Sequence, residues 1–362
     1  MFADNGEISG RQLKRQMLLE LSPVLLLFLS GNILLAGRSG VLGLLLGGGI
    51  LQLYLYLLSQ GFNRRPERRS EKSEHAQRKC RLSWIWVLFW ESFLVLTGAW
   101  LLQEGVGLTA SYLLPGTARP VIACLILLAA AVGVGSSPEQ RGRMAELACS
   151  ICFYGILFLL ALAALHARTP DARQMPAIAS TEVLRICWEF VAVGIVITAF
   201  PEMGITLAEK EKKTHIFGRV WLILTLLLAG TVLILYGTYG YHGVNSLQFP
   251  LQSLMSGTNL PGKFLERFDI LWMAFFLFGI LFAIGSTVFY GVRLTPWRRK
   301  QAVPLRILLS VLTGIVWLVV DTCSLDKMYY INLVKWIYAP IFILYLLVKK
   351  GGKNAEKDDS SC

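Results

Sequence analysis

Glu91, Glu189, Glu202 and Lys335 are ionisable side chains that lie inside long apolar stretches of the sequence. A charge is costly to hold in an apolar environment, so each of them is a candidate functional group. Glu91 has two interpretations, a contact for a polar ligand or an uncharged acid that is hydrogen-bonded to a neighbouring helix. Lys335 either pairs with Glu91 or extends its ammonium group to the outer interface. The sequence alone does not pair Glu91, Glu189 and Lys335.

Glu202 directly follows Pro201, where an interruption of a helix would expose backbone groups to a cavity. A ligand-binding carboxylate is one interpretation of this position. The other is a solvated carboxylate that lies close to the basic side chains of Lys210 and Lys212.

No catalytic constellation is recognisable elsewhere in the chain, and we predict neither enzymatic activity nor a cofactor. The histidines are too far apart for their spacing to indicate a metal site. They are His75, His166, His215 and His242. The basic residues are divided among many loops instead of forming one aromatic-rich surface, so nucleic acid is not an expected partner.

The composition excludes a soluble globular protein. Of the 362 residues, 55% are hydrophobic and only 16% are charged, and the mean hydropathy is +0.56. A soluble domain cannot hide so large a share of apolar side chains, so the surplus requires hydrocarbon as its solvent. We therefore predict an all-α polytopic membrane protein.

Ten apolar runs approach the length of roughly 20 residues that a helix needs to cross the hydrocarbon core. They are Met17–Ala36, Gly40–Leu58, Leu82–Leu102, Val121–Val134, Ala145–Leu165, Val183–Leu207, Val220–Tyr236, Phe268–Tyr290, Leu305–Val320 and Tyr329–Val348. The fourth run is the shortest. In the second run, Gly43 and Gly47 predict a close contact with another helix.

The net charge of +12 indicates orientation more than it indicates a ligand. With a cytoplasmic N-terminus, 26 Lys and Arg residues fall on the cytoplasmic side of the ten spans and 7 on the other side. Cytoplasmic loops of membrane proteins carry such an excess of basic residues. Both termini are therefore predicted to be cytoplasmic, and an even number of spans agrees with this.

Ten spans divide into two sets of five. Because five is odd, the second set begins on the opposite side of the membrane from the first, so its orientation in the membrane is inverted. This predicts an inverted repeat, in which the first helix of each half is discontinuous near the middle of the membrane. The predicted boundaries are a cytoplasmic tail 1–16, a five-helix repeat 17–165 with a basic cytoplasmic loop 62–81, a second five-helix repeat 183–348 with an outer loop 241–266, and a cytoplasmic tail 349–362. The outer loop is predicted to contain a short amphipathic helix.

Gly and Pro punctuate the first and sixth helices at corresponding places, although such residues are also common in uninterrupted membrane helices. Free backbone groups at two breaks would bind a small ligand. The predicted ligand-binding residues are Ser30, Gly31, Asn32, Glu91, Ala199, Phe200, Pro201 and Glu202. In the eighth helix, the hydroxyls of Ser286 and Thr287 are candidate ligands for Na⁺, or else they bond to their own helix. Coupling to Na⁺ or H⁺ is thus an open possibility.

Three segments resemble the GerAB family, the B subunits of nutrient receptors in spore germination. They are Ile8–Leu13, the stretch from Phe249–Leu251 to Leu260–Gly262, and Phe264–Asp269 followed by Trp272. GerAB proteins are relatives of the permeases of the amino acid, polyamine and organocation superfamily. The resemblance implies a leucine-transporter-like fold that holds a small germinant, such as an amino acid, between helices one, three, six and eight. It also implies an A-type membrane subunit and a C-type lipoprotein as partners.

The leading hypothesis for function is a subunit of a germinant receptor in the cell membrane or the inner spore membrane. Its ligand would shift an equilibrium between conformations that the partner subunits detect. The alternative is an ion-coupled secondary transporter of amino acids or related solutes. The third hypothesis is a channel or assembly scaffold without a ligand site of its own.

Overall fold

The structure is a computed structural model of the chain. It describes residues 7–28, 31–62, 84–135, 137–168, 175–204, 206–207, 213–247, 249–257, 268–295, 302–325 and 327–344. Almost all of the predicted basic loop and the whole C-terminal tail lie outside these ranges.

Helices make up most of the described residues. In chain order they are α1 (Gly10–Phe28), α2 (Asn32–Leu35), α3 (Arg38–Phe62), α4 (Trp84–Tyr112), α5 (Arg119–Gly133), α6 (Pro138–His166), α7 (Ser180–Gly204), α8 (Lys213–Asn245), α9 (Pro250–Gly257), α10 (Phe268–Leu294), α11 (Ala302–Thr322) and α12 (Lys327–Leu333). α12 continues as a π-helical turn, Val334–Tyr338, and then as helix over 339–344.

Six of the helices, α3, α4, α6, α8, α10 and α11, are long and apolar enough to cross a membrane. α5 and the helical segment that begins with α12 are shorter apolar helices. An all-α membrane protein with several spans is therefore confirmed. The number of ten spans stays a prediction, although a helix lies at each of the ten predicted runs.

The first helix is interrupted where the sequence predicts a break. Gly31 separates α1 from α2 with a φ of 148°, a backbone conformation that residues with a side chain rarely adopt. The end of α8 holds α2 in place beyond the break. Tyr236 donates a hydrogen bond to the Leu34 carbonyl oxygen at 2.5 Å, and Tyr241 donates one to the Leu35 carbonyl oxygen at 2.6 Å.

The sixth helix is continuous, so the predicted break near Ala199–Gly204 is wrong. The helical backbone of α7 runs from Ser180 to Gly204 without interruption. Inside a membrane, helical hydrogen bonds satisfy backbone groups that find no water partner, and this favours helix even where Gly and Pro occur. The predicted discontinuity is therefore present in the first helix and absent from the described backbone of the sixth.

A pair of two-residue strands joins the start of α1 to the end of α7. β1 (Glu7–Ile8) lies parallel to β2 (Thr206–Leu207). A reciprocal cap then starts α1, because Gln12 Oε1 accepts the Ser9 N–H and Ser9 Oγ accepts the Gln12 N–H. The start of α1 and the end of α7 thus share one face of the bundle, which we call the N-terminal face.

α10 lies at the centre of the bundle and contacts α1, α4, α5, α6 and α11, while α3 packs against α7 and α8. Two glycines bring α3 close to α7. A Cβ atom at Gly43 would lie 2.7 Å from the Val183 carbonyl oxygen, and one at Gly47 would lie 3.0 Å from the Cys187 carbonyl oxygen. The predicted helix contact of these glycines is confirmed. The predicted short helix in the outer loop is α9, which packs against α8 and α10.

Candidate functional site

A buried polar network joins α1, α6 and α10 inside the bundle. At its centre, the Arg141 guanidinium lies 3.5 Å from Glu20 Oε1. Arg141 is only 1% exposed, so its positive charge is almost completely removed from solvent. The Ser286 hydroxyl connects the two charged groups, because it donates to Glu20 Oε1 at 2.5 Å and accepts a hydrogen bond from Arg141 Nη2.

Two further polar side chains complete the surroundings of Glu20. Gln16 lies one turn earlier in α1 and donates to Glu20 Oε1 at 2.9 Å and to the Tyr290 hydroxyl oxygen at 3.2 Å. Tyr290 in turn donates to Glu20 Oε2 at 3.4 Å. Both carboxylate oxygens therefore have donors, as a buried charge requires.

Arg141 lies in the first turn of α6 and directs its guanidinium at α10. Its Nη2 donates to the Phe282 carbonyl oxygen at 2.7 Å, and its Nη1 donates to the Val134 carbonyl oxygen at 3.4 Å. Its Cζ lies 4.1 Å from the ring centroid of Phe282 and 5.4 Å from that of Phe289. Desolvated contacts of a cation with a ring face contribute about 2 kcal/mol. The guanidinium is therefore a fixed internal cation.

A cavity adjoins this network between α1, α4, α7 and α10, and we call it the first cavity. Its polar lining residues are Glu20, Thr97, Ser286, Thr287 and Tyr290. Its other lining residues are hydrophobic and include Leu21, Val24, Phe93, Ile197 and Ala283. An apolar wall with a few convergent polar groups is typical of a small-molecule site. The first cavity is therefore the candidate functional site.

A second buried ion pair joins α7 to the π-helical turn that follows α12. Lys335 Nζ donates to Glu189 Oε1 at 2.8 Å, and both side chains are buried. The structure thus settles a pairing that the sequence left open. π-helical turns inside α-helices are frequent at functional sites, and this turn directs Lys335 toward its acidic partner.

Glu91 belongs to neither ion pair. Its Oε1 accepts a hydrogen bond from Thr295 Oγ1 at 2.9 Å, where the start of α4 meets the end of α10. Its Oε2 has no hydrogen-bond partner among the described residues. Glu91 does not line the first cavity and lies closer to the N-terminal face than the α4 residues that do.

The other predicted ligand-binding residues lie along the first and sixth helices. Gly31 occupies the break in the first helix, and Ala199 is buried in α7; neither lines the first cavity. Ser30 lies outside the described residues, and only the backbone of Asn32 is described. The same holds for Phe200, Pro201 and Glu202, whose backbone continues α7.

The two hydroxyls predicted as Na⁺ ligands both line the first cavity. Ser286 is bonded to Glu20 and Arg141, so a guanidinium already provides the positive charge beside this oxygen. Thr287 donates to the Ile284 carbonyl oxygen at 2.8 Å, a bond within its own helix. Among the described residues, no group of three or more His, Cys, Asp and Glu side chains lies close enough together to hold a metal ion.

Sequence reasoning misses the central residues of the network. Glu20 lies inside the first apolar run, so the sequence signal that could have identified it is a charged residue within a predicted span. The pattern of basic residues places Arg141 in a cytoplasmic loop and Gln16 in the N-terminal tail, whereas the structure buries both. Nothing local in the sequence distinguishes Arg141 from Arg143, which is exposed.

The fold defines a polytopic helical membrane protein, and the first cavity is a candidate site for a small molecule. The family model of the spore germination proteins matches residues 24–324. The chain therefore belongs to the spore germination protein family, and the resemblance to GerAB proteins is confirmed. This is a family of permease-like membrane proteins and not a known enzyme family. A comparison with curated proteins found no match.

Proposed function

We propose that this chain is the ligand-binding membrane subunit of a spore germinant receptor, and that a small molecule such as an amino acid binds in the first cavity. The observation that carries the proposal is the position of this cavity against Glu20, Ser286 and Tyr290. These side chains connect α1 and α10 to Arg141 of α6. A ligand in the cavity therefore contacts the groups that hold three helices together.

The lining of the first cavity matches a small molecule that has one polar end. Carboxylate and hydroxyl oxygens accept hydrogen bonds from an ammonium group, so we propose that an amine of the ligand lies near Glu20 and Thr287. The hydrocarbon part of the ligand then packs against Leu21, Val24 and Phe93. The break at Gly31 lies about two helical turns from Val24, on the side away from the N-terminal face. A ligand that enters from that side along the first helix therefore passes the break before it reaches the first cavity.

Signalling requires that the ligand bind one arrangement of the helices more tightly than another. Glu20 and Ser286 provide such a difference, because a ligand that bonds to them competes with or strengthens their bonds to Arg141. We propose that ligand binding changes the position of α6 relative to α1 and α10. Partner subunits would detect that change.

The helix contacts support a five-plus-five inverted repeat over residues 17–165 and 183–348. In each half, the first helix packs against the fifth through a buried ion pair, which is Glu20–Arg141 in one half and Glu189–Lys335 in the other. The third helix of each half, α4 or α10, packs against the fourth helix of the other half, α11 or α5. If each helix of the first half is replaced by the corresponding helix of the second half, and the reverse, the same pairs of helices are in contact.

We also propose that the N-terminal face is cytoplasmic, so that both termini lie inside the cell or the spore core. An A-type membrane subunit and a C-type lipoprotein are the proposed partners in the inner spore membrane. The excess of basic residues assigned to the N-terminal face supports this orientation.

A screen of amino acids by thermal unfolding of the purified protein tests the proposal. A ligand at 100 times its Kd stabilises the folded state by about 2.7 kcal/mol, which raises the unfolding temperature measurably. Ala283→Phe places a ring in the first cavity and is expected to abolish this rise. Ala161→Phe is the matched control, because Ala161 lies on an exposed surface of α6 and should leave the response intact.

A ligand response that is equal in Ala283→Phe and in the unmodified protein would exclude the first cavity as the site. Uptake of the same ligand into liposomes, driven by an imposed ion gradient, would favour a transporter over a receptor. Ion conductance without any ligand response would favour a channel, and a partner-dependent phenotype alone would favour a scaffold.

A further inference from the structure

The carboxyl group of Glu91 lies where the start of α4 meets the end of α10. Thr295 Oγ1 lies 2.9 Å from Glu91 Oε1 and 3.0 Å from the Gly291 carbonyl oxygen. The other carboxyl oxygen, Oε2, is buried against the backbone of α10, because a Cβ atom at Gly291 would lie 2.7 Å from it. The carboxyl group thus occupies the space that the missing side chain of Gly291 leaves between the two helices.

Glu91 has no counter-charge among the described residues. Arg293, at the end of α10, and Arg306, at the start of α11, form no ion pair with it, and Tyr290 and Tyr338 on the packed helices bond to other side chains. A carboxylate without a counter-charge is strongly disfavoured inside a membrane protein, whereas the uncharged acid is tolerated. The surroundings of Glu91 therefore favour the uncharged acid.

The hydroxyl group of Thr295 provides a second argument, because it has a single hydrogen. A Thr hydroxyl inside a helix commonly donates to the carbonyl oxygen four residues earlier, which here belongs to Gly291. An ionised Glu91 would require the same hydrogen. An uncharged Glu91 instead donates its own hydrogen from Oε1 to Thr295 Oγ1, so that both short oxygen–oxygen contacts are hydrogen bonds. Its Oε2 is then a neutral carbonyl oxygen, which costs less to leave unpaired than a charge does.

We propose that Glu91 is a proton-binding site that joins the ends of α4 and α10 next to the N-terminal face. A proton from water at that face converts the carboxylate to the acid, which then donates to Thr295 Oγ1. Loss of the proton leaves an uncompensated charge against the backbone of α10 and favours separation of the two helix ends.

The proposed proton site controls the first cavity from the side of the N-terminal face. Leu94 of α4 and Tyr290 of α10 both line that cavity, and they lie within one helical turn of Glu91 and Gly291. The bound proton therefore closes the first cavity on this side. The proposal does not depend on the identity of the ligand proposed for the first cavity.

Infrared spectroscopy of the full-length protein in an ester-free detergent tests the protonation state. A protonated carboxyl group has a carbonyl band that a carboxylate lacks. At neutral pH, Glu91→Gln is expected to lose one such band relative to the unmodified protein, and the same band is expected to disappear from the unmodified protein as the pH is raised. Glu146→Gln is the matched control and should retain the band, because Glu146 pairs with Arg11 and Arg15.

The pH dependence of unfolding is an independent measurement. An exposed glutamate in the unfolded chain is ionised at neutral pH, so the folded protein holds one proton more and its stability falls as the pH rises. Over the pH range in which the infrared band persists, the unfolding equilibrium constant of the unmodified protein should rise about tenfold per pH unit relative to that of Glu91→Gln.

Glu91→Gln is expected to be at least as stable as the unmodified protein at neutral pH, because its amide is uncharged and can donate to Thr295 Oγ1. Glu189→Gln is the contrasting variant and should be destabilised at the same pH, since Glu189 is the buried partner of Lys335.

Spin labels at Leu88→Cys and Leu294→Cys, in a cysteine-free background, measure the separation of the two helix ends in lipid nanodiscs. Leu88 is exposed on α4, and Leu294 is the last residue of α10. As the pH rises through the loss of the infrared band, the distance distribution is expected to gain a longer component. The same labels in a Glu91→Gln background should show no such change.

An acid band that Glu91→Gln leaves unchanged would overturn the proposal, since water would then solvate an ionised Glu91. Lower stability of Glu91→Gln than of the unmodified protein at neutral pH would also overturn it. So would a ratio of unfolding constants that does not vary with pH, or a helix-end distance that responds to pH equally with and without Glu91.

Discussion

At the scale of single residues, the dominant feature is a pair of opposite charges inside the helical bundle, where burial of a charge is energetically unfavourable. Glu20 and Arg141 are both buried, and hydrogen bonds hold the Glu20 carboxylate and the two Nη atoms of Arg141. Removal of one member of a buried ion pair leaves the other uncompensated in a medium that solvates it poorly. The cost of such a change is far higher than the loss of an exposed pair.

Glu20→Gln is therefore expected to lower the free energy of unfolding by about 3–5 kcal/mol, because the Arg141 guanidinium loses its counter-charge. Unfolding of the detergent-solubilised protein by heat or denaturant measures the change. Glu182→Gln is the matched control, since Glu182 and Arg185 form a partly exposed pair whose loss costs at most about 1 kcal/mol. Equal effects of the two substitutions would contradict the burial of the Glu20 charge.

At the scale of elements, two contacts of the same kind occur in different parts of the bundle. α1 is joined to α6 by Glu20 and Arg141, and α7 is joined to the π-helical turn after α12 by Glu189 and Lys335. In each contact the acid belongs to the first helix of a predicted half. This correspondence is what the proposed inverted repeat predicts.

For the second contact, we expect Lys335→Met to destabilise the protein by about 3–5 kcal/mol, because the Glu189 carboxylate loses its partner. The double variant Glu189→Leu, Lys335→Met should recover most of that loss, since it removes both charges together. A double-mutant cycle on thermal unfolding measures the coupling between the two positions. Additive effects would show that the two side chains do not interact. Arg119→Met, in a partly exposed pair with Asp321, is the control.

At the scale of the whole molecule, the distribution of Lys and Arg predicts which face meets the cytoplasm. The structure places the start of α1, the end of α7 and the start of α6 on the N-terminal face, as the strand pair and the ion pair Arg15–Glu146 show. The loop between α4 and α5 lies at the opposite end of α4 from its contact with Thr295 at the end of α10.

This orientation predicts the labelling of single cysteines in a cysteine-free background. Ala118→Cys, in the exposed α4–α5 loop, should react with a membrane-impermeant maleimide added outside intact cells. Arg143→Cys, which is exposed near the N-terminal face, should react only after the membrane is permeabilised. The reverse pattern would place the N-terminal face outside.

The sequence determined the class of this protein, the positions of its helices, the break at Gly31 and the short helix α9, because hydropathy and Gly or Pro punctuation are properties of local segments. It failed at α7, where the need to satisfy backbone hydrogen bonds in a membrane outweighs local Gly and Pro signals. It could not pair Glu189 with Lys335, and it placed Arg141 in a loop.

Only the tertiary structure decided these pairings and the first cavity. Ser286 and Glu20, whose hydrogen bond is central to the candidate site, are 266 positions apart in the chain. Their contact depends on how α1 and α10 pack against each other, and no local pattern specifies that packing. The sequence shows that a charge lies within an apolar run, but the partner of that charge is a property of the folded chain.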